Sequence, residues 1–213
     1  MDSSPIRQAY NQWSAQYDTN ENKTRDLEGK ALRQVLAPLG FHDCLEVGCG
    51  TGKNTEWLAQ KAGSVTAVDL SEEMLQKAKE KITAGHVHFL LADIKQPWNF
   101  GHQKFDLVSF SLVLEHIEDL HFVFREAAQC LKPGGYLYLG ELHPYKQYAG
   151  SKARFDTENG VQVVECYNHH ISGFTKAAKE NGMKLVELEE YFDEDGGEVP
   201  RIIVLLFQIT ERR

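Results

Sequence analysis

Long apolar runs and paired cysteines are both missing from this sequence of 213 residues. The longest purely apolar run, residues 202–207, is far too short to span a bilayer. Residues 1–10 show no basic end followed by an apolar stretch, so we expect neither export nor membrane insertion. The cysteines form no C-x-x-C pair, which argues against a zinc ribbon or a redox motif. We therefore predict a soluble cytoplasmic protein without a metal site.

Basic residues are also fewer than acidic ones. The sequence has 23 lysines and arginines and 31 aspartates and glutamates, which gives a formal net charge of -8. Proteins that neutralise many phosphates usually present a basic face, so we do not expect a nucleic acid as a partner. A basic cleft can still occur in an acidic protein, and Lys146, Lys152 and Arg154 lie in one segment. Hydrophobic residues at 42% and charged residues at 25% are ordinary globular values, and the length suits a single domain over residues 1–213.

Residues 1–40 read as an N-terminal helical extension. Ser4 is the expected N-cap of a first helix, and Pro5 is its expected first residue. Thr24 is the expected cap of a second helix, which ends before Gly40. The first helix is expected to carry Tyr10, Trp13 and Tyr17 on one face. This aromatic face can pack as core, or it can act as a lid over a ligand.

Strand-like and helix-like segments alternate from residue 44 onward. Such spacing requires crossover connections, so we predict a largely parallel sheet with helices on both faces, a three-layer Rossmann-like sandwich. The Asp195-Gly196-Gly197 turn predicts a hairpin that adds an antiparallel strand. The expected strands are 44–47, 65–69, 87–91, 105–109, 135–142, 183–191 and 201–210, and the expected helices after residue 40 are 53–61, 72–81, 120–130 and 172–181.

A glycine-rich turn at residues 46–52 joins the first predicted strand to a helix. Glycines there allow a ligand to approach the backbone, and they leave amide groups free at a helix start. Asp69 ends the next predicted strand, about where a carboxylate binds ribose hydroxyls in dinucleotide folds. A nicotinamide or flavin enzyme would need a third glycine at position 53, where Lys53 stands.

Five ordered stretches resemble the motifs of class I S-adenosylmethionine (SAM) dependent methyltransferases of the small-molecule branch. Residues 45–52 are similar to the first motif, and residues 67–71 with Met74 are similar to the ribose strand. The other three are residues 91–94, residues 105–109 continuing to Glu115 and His116, and residues 131–135. The resemblance implies a seven-stranded fold, SAM as cofactor, S-adenosylhomocysteine (SAH) as product and a SAM-binding core over residues 41–142.

The resemblance also implies roles for individual residues. Asp69 would bind the ribose hydroxyls, although it could instead cap the next helix, and Met74 would lie beside the adenine, although it could be core. Tyr17 and Arg25 would reach the SAM carboxylate. The other expected cofactor contacts are Glu46, Gly48, Cys49, Gly50, Gly52, Leu70, Asp93, Ile94, Ser111, Leu112 and His116.

The acceptor side is expected in residues 143–213. Methyl transfer releases a neutral thioether, so a base is needed only when the acceptor is protonated. His143 and Glu141 lie at the end of the fifth predicted strand and are the candidate catalytic pair, although His143 could simply stabilise the turn before Pro144. We expect a small-molecule acceptor. A SAM-binding regulatory subunit without turnover and an RNA or protein methyltransferase stay open as alternatives, and the oligomeric state is not predicted.

Overall fold

A computed structural model describes residues 5–157, 160–194 and 196–210 of the chain. Seven strands form one sheet in the order β3-β2-β1-β4-β5-β9-β8, and β6 and β7 form a separate two-stranded ribbon. Strands β1 to β5 pair in parallel, β9 runs antiparallel to both of its neighbours, and β8 occupies the edge. The predicted fold class, a mostly parallel seven-stranded sheet with an antiparallel C-terminal strand, is confirmed.

The bounds of the elements agree closely with the prediction over the parallel half. The main-sheet strands are β1 (Asp43–Val47), β2 (Ser64–Asp69), β3 (Val87–Leu91), β4 (Phe105–Ser111), β5 (Leu131–Leu142), β8 (Met183–Tyr191) and β9 (Ile202–Ile209). The helices are α1 (Pro5–Trp13), α2 (Lys23–Leu36), α3 (Lys53–Lys61), α4 (Glu72–Lys81), α5 (Leu120–Cys130), α6 (Pro144–Tyr148) and α7 (Ile171–Glu180). The sequence did not reveal α6 or the ribbon of β6 (Arg154–Thr157) and β7 (Gly160–Val163).

Alternating side chains of the strands divide the core into two layers, one on each face of the sheet. Leu45 and Val47 of β1 join a cluster with residues of α5 and α7, whereas Cys44 joins a cluster with residues of α2 and α3. This alternation follows from the period of two along a strand. Because both faces are covered by helices, the edge of the sheet at the carboxyl ends of the strands is left to form a site.

The N-terminal segment differs from the prediction in its details. Helix α1 ends at Trp13, so Tyr17 lies in the turns after it rather than on its face. The side chain of Asn22, not Thr24, caps α2 by accepting a hydrogen bond from the amide of Arg25 at 3.0 Å. The predicted Ser4 cap and the Asp195 turn position lie outside the described residues.

Helix α1 packs against α4 and the ribbon. Trp13 stacks on Phe155 of β6, with ring centroids 5.1 Å apart and an interplanar angle of 13°. Trp13 and Phe155 share a buried cluster with Met74 of α4 and Ile6 of α1. Across the described ranges, the helices are all too short or too polar to cross a membrane.

Candidate functional site

A cavity, called here the first cavity, opens at the carboxyl ends of β1, β2 and β4. Ligands of open α/β sheets bind at this edge, because the loops that follow the parallel strands meet there. The lining residues come from those loops and from the N-terminal segment. They are Ile6, Tyr10, Tyr17, Gly48, Gly50, Val68, Asp69, Leu70, Met74, Ala92, Asp93, Ile94, Lys95, Ser111, Leu112, Val113, His116 and Ile117.

The glycine-rich turn after β1 forms one wall of the first cavity. Gly48 has a φ of +77°, and a Cβ atom added there would lie 2.2 Å from Cγ2 of Val113. Gly50 has a φ of +54° with no atom within 4 Å of such a Cβ, so its missing side chain leaves room in the cavity. Both positions therefore favour glycine, the first for close packing and both for left-handed backbone.

The Asp69 carboxylate is fixed at the end of β2 by the backbone. Oδ2 accepts a hydrogen bond from the amide of Gly50, and Oδ1 accepts one from the amide of Ser71, both at 2.8 Å. Burial raises the pKa of Asp69, and these amides oppose the shift. A carboxylate has about four lone-pair sites, so each oxygen can still accept one hydroxyl hydrogen bond from a ligand.

A lid over the first cavity is formed by α1 and the turns that follow it. The Nδ1 atom of His116 lies 2.8 Å from the carbonyl oxygen of Glu165, which can only accept, so Nδ1 carries the proton. Nε2 therefore accepts a hydrogen bond from the Tyr10 hydroxyl at 2.7 Å. Burial raises the pKa of Tyr10 well above its ordinary value, which keeps that hydroxyl protonated. The aromatic residues of this segment thus have two roles: Trp13 packs in a buried cluster, and Tyr10 and Tyr17 line the first cavity.

Four of the predicted cofactor contacts are not among the described residues that line the first cavity. Glu46 is buried behind the glycine turn, where it accepts a hydrogen bond from the Thr55 hydroxyl at 2.5 Å, and burial raises its pKa to about 8. Cys49 is buried in the core cluster that contains residues of α2 and α3, and Gly52 caps α3. Arg25 stacks over the ring of Tyr17 and lines a neighbouring cavity.

The two residues of the predicted catalytic pair form hydrogen bonds within the protein. His143 caps α6 by accepting a hydrogen bond from the amide of Tyr145, and its Nε2 lies 2.9 Å from Oε1 of Glu190. The Oε1 atom of Glu141 accepts hydrogen bonds from the amides of Val113 and Leu114 at 3.1 and 3.0 Å. Neither side chain is among the described residues that line the first cavity, and the catalytic role of the pair stays a prediction.

A second cavity adjoins the first, and Tyr10, Tyr17 and Leu112 line both. Its remaining walls come from the start of α2, the turn after β4 and the segment before β6. The residues that line the second cavity but not the first are Trp13, Glu21, Asn22, Lys23, Thr24, Arg25, Glu115, Leu142, Ser151, Lys152, Ala153, Arg154 and Arg201. This arrangement gives two ligands adjacent places separated by the lid residues.

Glu115, His116 and Cys166 offer ligand atoms that all lie within 4.8 Å of one another. Both ring nitrogens of His116 already have hydrogen-bond partners. Burial raises the pKa of Cys166 to about 12, so the thiol stays protonated. A metal would displace these hydrogen bonds and that proton. Oε2 of Glu115 is buried without a hydrogen-bond partner among the described residues.

Several lining residues carry no signal in the sequence. Ile6, Val68, Ala92, Val113 and Ile117 have the composition of ordinary core, and only the chain path brings them to the first cavity. Lys95 follows the adenine-contacting stretch of the resemblance and could have been found by extending that stretch by one residue. The structure brings together most of the predicted cofactor contacts, including Tyr17, Asp69, Met74, Asp93 and Ser111.

Comparison with known proteins agrees with this architecture. A family profile described as a methyltransferase domain matches residues 45–139. The chain is 31% identical over 171 residues to a ubiquinone biosynthesis O-methyltransferase of Coxiella burnetii strain RSA 331, and the alignment covers 75% of this chain and 70% of that protein. The chain is also 30% identical over 142 residues to an enzyme of the same name from Hydrogenovibrio crunogenus. This alignment covers 65% of this chain and 58% of that protein.

A solved structure shows the same fold. It is the N-methyltransferase NodS of Bradyrhizobium japonicum WM9 in complex with SAH, with a TM-score of 0.74 and 19% identity over 98% of this chain and 100% of that one. Sequence identity at this level is evidence for the fold alone. The family follows from the sequence match, which covers more than two thirds of the Coxiella protein, and from the family profile, whose matched residues include the glycine turn and Asp69: the chain belongs to the class I SAM-dependent methyltransferases.

Proposed function

We propose that the protein transfers a methyl group from SAM, bound in the first cavity, to a small molecule that enters the second. The observation that carries this proposal is the pair of adjoining cavities with Tyr10, Tyr17 and Leu112 as common walls. Relatives with this fold include enzymes named for small acceptors, such as the phosphoethanolamine N-methyltransferase 3 of Arabidopsis thaliana. That the four cysteines are unpaired supports a reducing compartment, for which we propose the cytoplasm.

The first cavity fits SAM by the chemistry of its residues. The carboxylate of Asp69 suits the two ribose hydroxyls, because charged acceptors form the stronger hydrogen bonds. Leu70, Met74 and Ile94 provide apolar surface for the adenine, and Asp93 lies at the same end. Gly48 and Ser111 border the space for the methionine part, where Gly50 leaves room. SAM supplies an electrophilic methyl group on a positively charged sulfur.

The protein's own contribution is mainly alignment. Holding an acceptor atom in line with the methyl carbon removes the entropic cost of a bimolecular encounter, which can account for a large part of the rate. The lid, held by Tyr10 and His116, excludes water from the place where the two ligands meet. A general base is required only for an acceptor that arrives protonated.

Two measurements test the proposal. Calorimetry with SAM, SAH and NAD is expected to give affinities in the micromolar range for the first two, about -8 kcal/mol, and no binding of NAD. Binding heat with NAD, but with neither SAM nor SAH, would overturn the assignment of SAM as the cofactor. Release of labelled SAH from tritiated SAM with a panel of small acceptors then tests turnover. SAM binding without turnover of any acceptor would favour a regulatory SAM-binding subunit, and salt-dependent turnover of RNA would favour an RNA methyltransferase.

A further inference from the structure

The second cavity has a charge balance opposite to that of the whole protein. The chain carries a formal net charge of -8, yet five basic side chains and two acidic ones line this cavity. A local excess of positive charge in an acidic protein attracts and orients an anion. The basic residues are Lys23, Arg25, Lys152, Arg154 and Arg201, and the acidic residues are Glu21 and Glu115.

The basic groups differ in how far their charge is already neutralised. Arg201 forms two hydrogen bonds to the carboxylate of Asp193, at 2.5 and 2.7 Å, so its charge is balanced within the protein. The guanidinium of Arg25 donates only to the carbonyl oxygens of Tyr17 and Asn20, and its Nε is buried without a partner among the described residues. No carboxylate lies within 4.0 Å of these nitrogens among the side chains that the structure describes, although the charge of Arg25 helps to lower the pKa of Asp18.

Lys152 and Arg154 also line the cavity; Lys152 lies in the segment that leads into β6, and Arg154 is the first residue of that strand. Both side chains are exposed, and neither has a carboxylate within 4.0 Å among the side chains that the structure describes. The stacking of Trp13 on Phe155 fixes β6 against the lid helix. This contact holds Arg154, the residue before Phe155, on a packed strand beside the cavity.

Glu115 gives the same cavity a hydrogen-bond acceptor. The residue is 7% exposed, it lines the cavity, and its Oε2 has no hydrogen-bond partner among the described residues. A buried carboxylate oxygen without a partner is costly, and such groups are usually satisfied by a ligand or water. Burial raises the pKa of Glu115, so it binds a proton more strongly than a surface carboxylate does.

We propose that the acceptor carries a carboxylate or phosphate group, bound by Lys152, Arg154 and Arg25, and a hydroxyl or amine that donates its hydrogen to Glu115. This inference rests on the methyl transfer proposed above. In the transfer, the acceptor atom forms a bond to the methyl carbon with its own lone pair. The methyl–sulfur bond breaks and leaves its electron pair on sulfur, and the acceptor's proton passes to the carboxylate of Glu115.

Matched pairs of probes test the anion site on the full chain saturated with SAH. One pair is 3,4-dihydroxybenzoate and its methyl ester, and the other is phosphoethanolamine and ethanolamine, so the two pairs separate a carboxylate from a phosphate. Ligand-observed NMR is expected to show at least tenfold tighter binding of the anionic member in one pair. Lys152→Glu combined with Arg154→Glu should abolish that preference, whereas Lys184→Glu, an exposed residue of β8, should leave it intact.

Glu115 is tested by turnover of the anionic probe that binds. Glu115→Gln should lower kcat about 10²-fold, the loss expected for a positioned base, and should remove the rise of kcat with pH while the probe still binds. Glu115→Asp should restore part of the rate, and it serves as the second variant if Glu115→Gln does not fold.

Equal or tighter binding of the neutral members would overturn the inference, as would the failure of every probe to bind. Intact SAH binding in those cases would leave the proposed methyl transfer standing. Loss of SAH binding by the unmodified protein would instead overturn the proposed function itself.

Discussion

The hydroxyl of Tyr10 donates a hydrogen bond of 2.7 Å to Nε2 of His116, which lies 106 residues further along the chain. This bond joins the lid helix α1 to the turn after β4, and both residues line the first cavity. The bond requires His116 to carry its proton on Nδ1, and the carbonyl oxygen of Glu165 holds that tautomer in place. The lid helix is therefore joined to the turn after β4 through one histidine that uses both of its ring nitrogens.

Tyr10→Phe should weaken SAM binding about two- to tenfold, because a hydrogen bond of this kind contributes about 0.5–1.5 kcal/mol. Phenylalanine retains the ring that stacks on Trp13, so the fold should be unchanged. Calorimetry measures the effect. Tyr148→Phe is the matched control, because its hydroxyl lies 2.7 Å from Nδ1 of His170 on the exposed surface. Equal SAM affinity of the two variants would contradict a closing role for Tyr10.

Asp69→Ala should weaken SAM binding by about 10²-fold or more. Two hydrogen bonds to a charged acceptor contribute about 1.5–3 kcal/mol each, and the variant loses both. Thermal unfolding checks that the variant folds, since the amides of Gly50 and Ser71 also lose their acceptor. Asp26→Ala, which removes an exposed carboxylate, is the control. A folded Asp69→Ala protein with unchanged SAM affinity would remove Asp69 from the ribose site.

The parallel half of the fold and the cofactor residues could be predicted because their signals are local. The strand period, the Ser71 cap of α4 and the left-handed glycines after β1 are each determined by neighbouring residues. The contact between His143 and Glu190 could not be predicted, because Glu190 lies 47 residues further along the chain, in β8. The apolar cavity wall formed by Val113 and Ile117 has the same composition as core, so the sequence cannot distinguish the two.

Glu141→Gln should reduce the dependence of stability on pH. Burial raises the pKa of Glu141 from 4.5 to about 8, so the folded state binds a proton that the unfolded state has released between these values. The free energy of unfolding therefore falls as pH rises through this window, by at most about 1.4 kcal/mol per pH unit for one group. Glutamine keeps the acceptor for the amides of Val113 and Leu114 but has no proton to lose.

Urea unfolding at several values between pH 5 and pH 8 checks this prediction. The unmodified protein should lose stability across the range more steeply than Glu141→Gln. Part of the pH dependence of stability should remain in the variant, because the buried carboxyls of Glu28 and Glu46 have pKa values of about 7 and about 8. Glu73→Gln, at an exposed position of α4, should match the unmodified protein. Parallel curves for Glu141→Gln and the unmodified protein would contradict the assignment.

Gly48→Ala should destabilise the protein more than Gly134→Ala. Both glycines have left-handed backbone, with φ of +77° and +78°, which costs an alanine about 1–2 kcal/mol. Only at Gly48 would the added Cβ also meet another side chain, that of Val113, and overpacking of this kind costs about 1–3 kcal/mol more. The difference in the free energy of unfolding between the two variants, measured in urea, gives the cost of the contact with Val113. Equal losses of stability would show that the Val113 side chain moves aside at no energetic cost.

The stack of Trp13 on Phe155 places the lid helix and the strand that bears Arg154 in one packed unit. We expect a ligand that immobilises the helix from the first cavity to immobilise the strand that lines the second. The affinities of the two ligands would then be linked, and the linkage is reciprocal: the factor by which the cofactor tightens the binding of the acceptor equals the factor by which the acceptor tightens the binding of the cofactor.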